Sequence, residues 1–287
     1  MRSPFKFLSR KISQRFLLGL FCSLYLTLGL RSPGLAQTPN VNRAEIAQIL
    51  DSPQVFIQNQ QAKVKDTAQK GQRVRTANAR AELRFNTGAV GRLAHNSVLT
   101  VGQRCARLQQ GTLLVNGAVN GCTASVIAGV RGTTYVLEVT AAGLANIKVL
   151  EGEVTVSPKS DTEADGEATE PATNAKGLRS SNTLRPTIAT QTLTQSTSDN
   201  PVVLKEGEKV SVRPDGAVGL VEKLSQEEFS QLLKGVLFNG FSIPLPGISK
   251  VQGSFQRLFP GVPFPISVPS IPGLPTPPVP VPFRLPF

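Results

Sequence analysis

The residue types that carry most enzyme and metal chemistry are scarce in this sequence. Its 287 residues include one His, three Cys, two Tyr and no Trp. The single histidine, His95, has no nucleophile and no acid beside it in the sequence, so we expect it in a surface turn. Paired acid and base candidates are absent from the strand-rich part of the chain. We therefore expect no catalytic residues, no cofactor and no metal, that is, a protein that is not an enzyme.

Two of the cysteines are candidates for a disulfide bond. Cys22 lies in an apolar N-terminal segment that we expect to be removed, which leaves Cys105 and Cys122. Two isolated cysteines make a poor metal site, and a redox pair normally has the spacing C-x-x-C. The sequence therefore predicts a structural disulfide, which would stabilise the fold by about 3 kcal/mol.

An acidic run resembles a calcium-binding loop but does not complete it. Asp161, Glu163 and Asp165, followed by Gly166, occupy the first ligand positions and the turn of such a loop. The twelfth position, where the loop needs a bidentate Glu, is Ala172. We therefore expect an acidic linker and not a calcium site.

Arginine is concentrated in one stretch of the chain. Seven arginines and no lysine lie in residues 73–107, where Glu82 is the only acid. Arg73 and Arg75 are two residues apart, so they would share one face of a strand. Together with Arg84 they form a candidate patch for an anionic partner, either an envelope protein or an anionic glycan, because guanidinium groups bind carboxylates in a bidentate manner. The simpler alternative is a solvated outer face.

The overall charge does not indicate a nucleic-acid partner. The formal net charge is +12, but six of the 31 basic residues and none of the 19 acids lie in the first 36 residues. The rest of the chain carries 25 basic and 19 acidic residues, which is a modest excess. We therefore expect no binding to nucleic acid.

Residues 1–36 have the pattern of a secretory signal peptide. Their apolar stretch, residues 16–30, is about 22 Å long as a helix, which is short of the roughly 30 Å hydrocarbon core of a membrane. Gly34 and Ala36 are small residues at the positions that predict cleavage after Ala36, and an uncleaved anchor is the alternative. We expect the mature chain in the periplasm or cell envelope, or secreted, with membrane contact only through the signal peptide or the C-terminal tail.

Residues 41–157 predict an all-β domain, either a sandwich or a compact β-roll. Short apolar runs alternate with glycine-containing turns, and the segment 81–85 shows the alternation of a half-buried strand. In that strand Leu83 would face the core and Glu82 the other side. At the start of the domain, Asn42 followed by Glu45 has the pattern of a helix cap, so a short helix is expected there.

The remainder of the chain divides into three regions. Residues 158–200 are acidic and rich in Ser and Thr, which predicts a flexible insertion. Residues 201–241 predict a β-hairpin and a short C-terminal helix that pack on the β-domain. The expected buried stripe of that helix is Phe229, Leu232, Leu233 and Val236. Residues 242–287 are rich in Pro and Phe and predict an extended tail that docks on the protein itself, on a partner or on a membrane.

Several blocks of the β-domain resemble, in the same order, the FecR domain, an extracytoplasmic module of bacterial envelopes. These blocks are residues 70–76, 81–88, 92–93, 96–101, 108–115, 130–135 and 149–156. The positions that match the family motif most clearly are Gly132, Thr133 and Gly152. We expect these three residues to shape the backbone and not to bind a ligand.

The resemblance implies an exported, non-catalytic domain for sensing or protein interaction. The best understood FecR proteins relay a siderophore signal to a cytoplasmic sigma factor, and for this they have a cytoplasmic segment before their membrane helix. Only 15 residues precede the apolar run here, so signal transduction to a sigma factor is not expected. The alternative function is that of a structural or surface protein of the envelope, attached through the Pro/Phe-rich tail.

Overall fold

Seventeen strands and two helices form the part of the chain that the computed structural model describes, residues 40–159 and 200–267. The predicted all-β class is confirmed. The expected signal peptide, the acidic run, most of the expected insertion and residues 268–287 lie outside the described residues. Within the described ranges, no helix has the length and apolar character needed to cross a membrane.

Most strands are short and follow one another closely along the chain. In order they are β1 (Arg43–Leu50), β2 (Val55–Ile57), β3 (Gln60–Gln61), β4 (Thr67–Gln69), β5 (Arg73–Thr76), β6 (Arg80–Phe85), β7 (Val90–Leu93), β8 (Val98–Val101), β9 (Ala106–Gly117), β10 (Gly121–Cys122), β11 (Val126–Val130), β12 (Thr133–Val139), β13 (Ala145–Glu151), β14 (Glu153–Pro158), β15 (Val202–Lys205), β16 (Glu208–Val212) and β17 (Glu222–Lys223). The helices are α1 (Gln226–Lys234) and α2 (Ile248–Leu258).

The strands form two layers of one continuous mixed sheet. Layer A has the order β4-β1-β6-β7-β9-β12-β13-β16-β17, and layer B has the order β3-β2-β5-β8-β9-β10-β11-β14-β15. The long strand β9 belongs to both, because its first half pairs with β8 and its second half with β7. It changes layer at Gly111, where φ is +90° and a Cβ atom would collide with Ser97. This winding is that of a compact β-roll.

The main core lies between the two layers and is mostly aliphatic. Alternate residues of each strand point into it, as the pleat of a strand requires. Among the residues that form it are Ile46, Leu83, Val115, Leu137 and Ile147 from layer A and Val74, Leu99, Leu108, Val154 and Leu204 from layer B. Tyr135 is fully buried there, and its hydroxyl donates a 3.0 Å hydrogen bond to the carbonyl of Val119. Burial raises the pKa of this hydroxyl well above its usual range.

A second core covers the outer side of layer A. Helix α1 begins with the predicted capping box, in which Ser225 and Glu228 each bond the other's backbone N–H. The buried side chains of both helices pack on strand residues of layer A, namely Phe229, Leu233, Val251 and Phe255 on Val90, Leu114, Val136 and Leu150. Phe229, Phe255 and Phe259 also contact one another edge to face, with ring centres 5.1 to 6.0 Å apart.

The segment after residue 200 joins both layers, next to the strands that precede the insertion. Strand β15 pairs with β14 in layer B, and β16 pairs with β13 in layer A. After the turn at residues 214–216 the chain returns through one isolated bridge, Val212 to Val218, and forms β17 only at Glu222–Lys223. Helix α1 ends at Lys234, so Val236 lies beyond it and is exposed, which corrects the predicted stripe.

Two predictions of secondary structure are wrong. The expected helix at Asn42 is strand β1, because Ala44 and Ile46 alternate into the core and the strand pairs with β4 and β6. These tertiary contacts outweigh the local capping pattern. The expected extended tail contains helix α2, whose Val251 and Phe255 lie one turn apart and are fully buried. The helix occupies a stretch without proline between Pro246 and Pro260.

Candidate binding face

Layer B has an outer side on which no helix packs among the described residues. Val74 and Leu99 point into the core, so their neighbours on β5 and β8 point outward. We call this surface the basic face and define it by five side chains: Phe56, Arg73, Arg75, Thr100 and Arg107. In contrast, α1 and α2 cover the outer side of layer A over β7, β9, β12 and β13.

The pairing of the strands brings three arginines together on the basic face. Arg73 is opposite Thr100, and Thr100 is opposite Arg107, so the two arginines are two strands apart, about 10 Å. Arg75 is two residues from Arg73 along β5, about 7 Å. The Arg75 guanidinium lies 4.3 Å from the centre of the Phe56 ring, a cation–π contact that orients it.

No acidic residue lies on the strands at the centre of layer B. The sequence has no Asp or Glu between Glu82 and Glu138, a stretch that includes β8, β9, β10 and β11. At the end of β5, Lys70 adds a further positive charge and donates a 2.6 Å hydrogen bond from Nζ to Oε1 of Gln103. The five side chains that define the basic face therefore include three cations and no acid, which favours the approach of an anion.

The three arginines predicted as a patch do not lie on one surface. Arg73 and Arg75 are on the basic face, but Arg84 is on the outer side of layer A, between the core residues Leu83 and Phe85. Arg84 is also directly opposite an acid, Glu45, on β1. Arg107 takes its place on the basic face. The register between strands brings Arg107 next to Arg73 and Arg75, and the spacing of these residues along the chain does not indicate it.

Cys105 and Cys122 form a disulfide bond, as expected from the sequence, with their Cα atoms 5.8 Å apart. The bond joins the start of β9 to the short strand β10, which pairs with β9 in parallel. Cys122 is opposite Arg107 in this pairing, so the bond holds the edge of the basic face. Disulfides persist in oxidising compartments, which indicates a location outside the cytoplasm.

The three motif residues meet at one corner of the roll. Gly132 lies between β11 in layer B and β12 in layer A, and Gly152 lies where β13 in layer A passes to β14 in layer B. Both have positive φ, +67° and +83°. A Cβ on Gly152 would lie 2.7 Å from Cγ2 of Thr133, which is buried. The motif therefore allows two chain reversals to pack closely.

Layer A contains a buried ion pair that the sequence reasoning missed. Arg92 donates to Oε2 of Glu82 at 2.9 Å and to the carbonyls of Leu237 and Ile243 at 3.1 and 2.7 Å. Its guanidinium also lies 4.1 Å from the ring centre of Phe241. Desolvation lowers the pKa of Arg92, against the opposing effect of Glu82. Arg92 thus holds the segment between the helices on layer A, and Glu82 does not face solvent.

A second arginine binds the same segment from nearby. Arg80 makes two hydrogen bonds to the carboxylate of Asp51, at 2.6 and 2.9 Å, and donates to the carbonyls of Val236 and Asn239. The bond from Arg80 holds the pKa of Asp51 at about 2, below its usual value. His95 is in a turn, as expected, but its Nε2 lies 2.7 Å from Oδ2 of Asp51. Asp51 is 44 residues from His95 in the sequence, so spacing along the chain does not indicate this contact.

Residues of the types that bind metals do not cluster in the described part of the chain. Its residues include no group of three or more His, Cys, Asp or Glu side chains that could hold a metal ion. Among the described residues, the basic face is the surface best suited to be a binding site, and its arginines suit a negatively charged ligand.

Comparison with known proteins gives a distant structural likeness. No family model matches the sequence, and no curated protein matches it either. Two crystal structures of a proposed anti-sigma factor from Parabacteroides distasonis are similar in part, with 14% and 13% sequence identity and TM-scores of 0.39 and 0.38. The alignments cover 68% of this chain and 82% and 81% of the other chains. A likeness at this level does not assign the chain to a family.

Proposed function

We propose that this chain is an exported, non-catalytic interaction domain of the FecR-like type, which works in the periplasm or cell envelope. The observation that carries the proposal is the contrast between the two outer sides of the β-roll. The protein's own C-terminal helices cover one side, and the other presents arginines held in register by neighbouring strands. The disulfide and the signal-peptide pattern support export.

The alternative function is attachment of a surface protein through its C-terminal tail. The structure narrows the segment that this function would use. Residues 242–267 include Val251, Phe255 and Phe264, which contribute to the second core and so serve the protein's own stability. Attachment would therefore depend on residues 268–287, which contain the runs of proline near the C-terminus.

The two functions predict that different variants lose their retention in the envelope of the cells that produce the protein. The double variant Arg73→Glu/Arg75→Glu is expected to lose retention in the envelope fraction, and deletion of residues 268–287 is expected to leave it unchanged. Arg84→Glu is the control, because it makes the same type of substitution at one exposed site on the other side of the roll. Retention lost only by the deletion would support the alternative. Retention unaffected by either change would contradict both.

Export itself is tested in the same cells by trapping thiols before lysis. We expect Cys105 and Cys122 to be protected from alkylation until a reductant is added. Intact mass measurement should give a chain that begins after Ala36. Free thiols on a chain that retains residues 1–36 would contradict the proposal.

A further inference from the structure

We propose that the basic face binds a linear acidic glycan, a sugar polymer with carboxylate or phosphate groups along its length. The inference rests on the proposed function and names the class of partner. It depends on two features that lie side by side, the arginines of the basic face and a groove lined with amide side chains.

The arginines are arranged for a repeating anion. Arg73, Arg75 and Arg107 are separated by about 7 to 10 Å on an open sheet surface, so they suit charges on successive units of a polymer. Guanidinium groups bind carboxylate and phosphate oxygens with two parallel hydrogen bonds. The stacking of Arg75 on Phe56 already restricts the conformations of the Arg75 side chain. Binding of an anion would therefore cost less conformational entropy.

The amide groove begins beside Arg73. It has a volume of about 590 Å³, and five amide side chains line it: Gln58, Asn59, Gln60, Gln61 and Gln72. The backbone N–H of Gln58 donates to the carbonyl of Arg73 at 2.7 Å, which joins the groove to the arginines. Asp66 also lines the groove, but its carboxylate accepts a hydrogen bond from the backbone of Lys63.

Amide side chains indicate sugar as the partner. Each amide carries two donor hydrogens and an acceptor, which matches the paired donor and acceptor character of sugar hydroxyls. Three of these groups already bond the protein's own backbone, namely Oε1 of Gln58, Oε1 of Gln72 and Nε2 of Gln61, and the other polar atoms of the five side chains remain for a sugar. Protein interfaces normally have an apolar centre, and the only aromatic side chain that defines the basic face, Phe56, is covered by the guanidinium of Arg75. Among the large apolar side chains that are exposed in the described residues, only Val203 belongs to a strand of layer B, and it lies on the edge strand β15. The chemistry of the surface therefore favours a glycan over a protein.

The test uses the full mature chain with its disulfide intact and isothermal titration calorimetry. The probes are alginate oligomers, which are linear polyuronates, poly-L-glutamate as an acidic polypeptide, and a neutral cello-oligosaccharide. We expect alginate to bind, poly-L-glutamate to bind at least about tenfold more weakly, and the neutral sugar not to bind. Long polyphosphate, compared with alginate, distinguishes phosphate from carboxylate as the preferred charge.

Three variants separate the two features. Arg73→Gln/Arg75→Gln should weaken alginate binding at least about tenfold and lower the slope of log affinity against log salt by about two, one for each lost contact. Gln60→Ala/Gln61→Ala should weaken alginate binding several-fold and leave poly-L-glutamate binding unchanged. Arg84→Gln, which removes one arginine from the outer side of layer A, should leave the binding of both polymers unchanged. All three sites are exposed, and equal urea midpoints verify that each variant is folded.

The outcomes distinguish this inference from the function on which it rests. Equal affinity for poly-L-glutamate and alginate, with no effect of the glutamine changes, would overturn the glycan and leave a protein-binding domain. Alginate binding that Arg84→Gln weakens as much as the Arg73/Arg75 change would overturn the assignment to this face. If neither polymer binds and the Arg73→Glu/Arg75→Glu variant keeps its envelope retention in cells, both proposals fail.

Discussion

Removing the guanidinium of Arg92 is expected to destabilise the protein strongly. Arg92 is 2% exposed and Glu82 is 1% exposed, so the substitution Arg92→Met leaves a carboxylate buried without its cation. It also removes the donor to the carbonyls of Leu237 and Ile243. Removal of one partner of a buried ion pair lowers the free energy of unfolding by about 3–5 kcal/mol.

The double variant tests whether the buried charge is the cause. Replacing Glu82 as well, in Glu82→Met/Arg92→Met, removes the unpaired carboxylate and leaves only the two carbonyls without their donor. A carbonyl that stays buried without a partner costs about 1–3 kcal/mol, and one that regains water costs less. We therefore expect the double variant to be more stable than Arg92→Met by at least about 1 kcal/mol.

The measurement is urea denaturation of four proteins, the unsubstituted chain, both single variants and the double variant, analysed as a double-mutant cycle. Equal slopes against urea are needed for the comparison, because a changed slope would mean a changed unfolded or native state. Arg92→Met within about 1 kcal/mol of the unsubstituted protein would refute the argument. So would a double variant less stable than Arg92→Met.

Other contacts give smaller and separable effects on the free energy of unfolding. Ser225→Ala removes the cap of α1 and should cost about 1 kcal/mol by urea denaturation, whereas Ser230→Ala within the same helix should not. Cys105→Ser/Cys122→Ser should cost about 3 kcal/mol, and reduction of the unsubstituted protein should give a similar loss. The pKa of Asp51 is about 2 in the folded protein and 3.8 when the carboxyl makes no such contacts, as in the unfolded chain. The ionised carboxylate therefore stabilises the folded protein above about pH 4, and this stabilisation is lost as the pH falls towards 2. Asp51→Asn should flatten this part of a stability curve measured against pH, and an unchanged curve would argue against the Arg80 contact.

The β-roll was predictable because its signals are local. Alternation of apolar and polar residues marked strands such as 81–85, and glycine-containing turns marked their ends. The capping box of Ser225 and Glu228 likewise involves residues only three apart. The helix pattern at Asn42 failed for the opposite reason, since pairing with β4 and β6 is a contact between distant segments.

The surfaces were harder to predict than the strands. Arg84 and Arg92 both lie on the outer side of layer A, but only Arg92 is buried, because the segment between the two helices, which is remote in sequence, lies over it. Alternation shows to which side of a strand a residue belongs, and it does not show what covers that side. In the same way, Arg107 joins Arg73 only through the register of β5, β8 and β9.

The position of the insertion has a consequence for engineering the chain. Val156 on β14 is paired directly with Val202 on β15, so the two ends of the connection between these strands are neighbouring backbone positions. Lengthening such a connection costs little, about 0.6 kcal/mol for each doubling. A cut there leaves a C-terminal fragment that still pairs with β13 and β14, and so has partners in both layers. The protein is thus suited to reassembly from two separately produced halves, with reporter groups fused at the new ends.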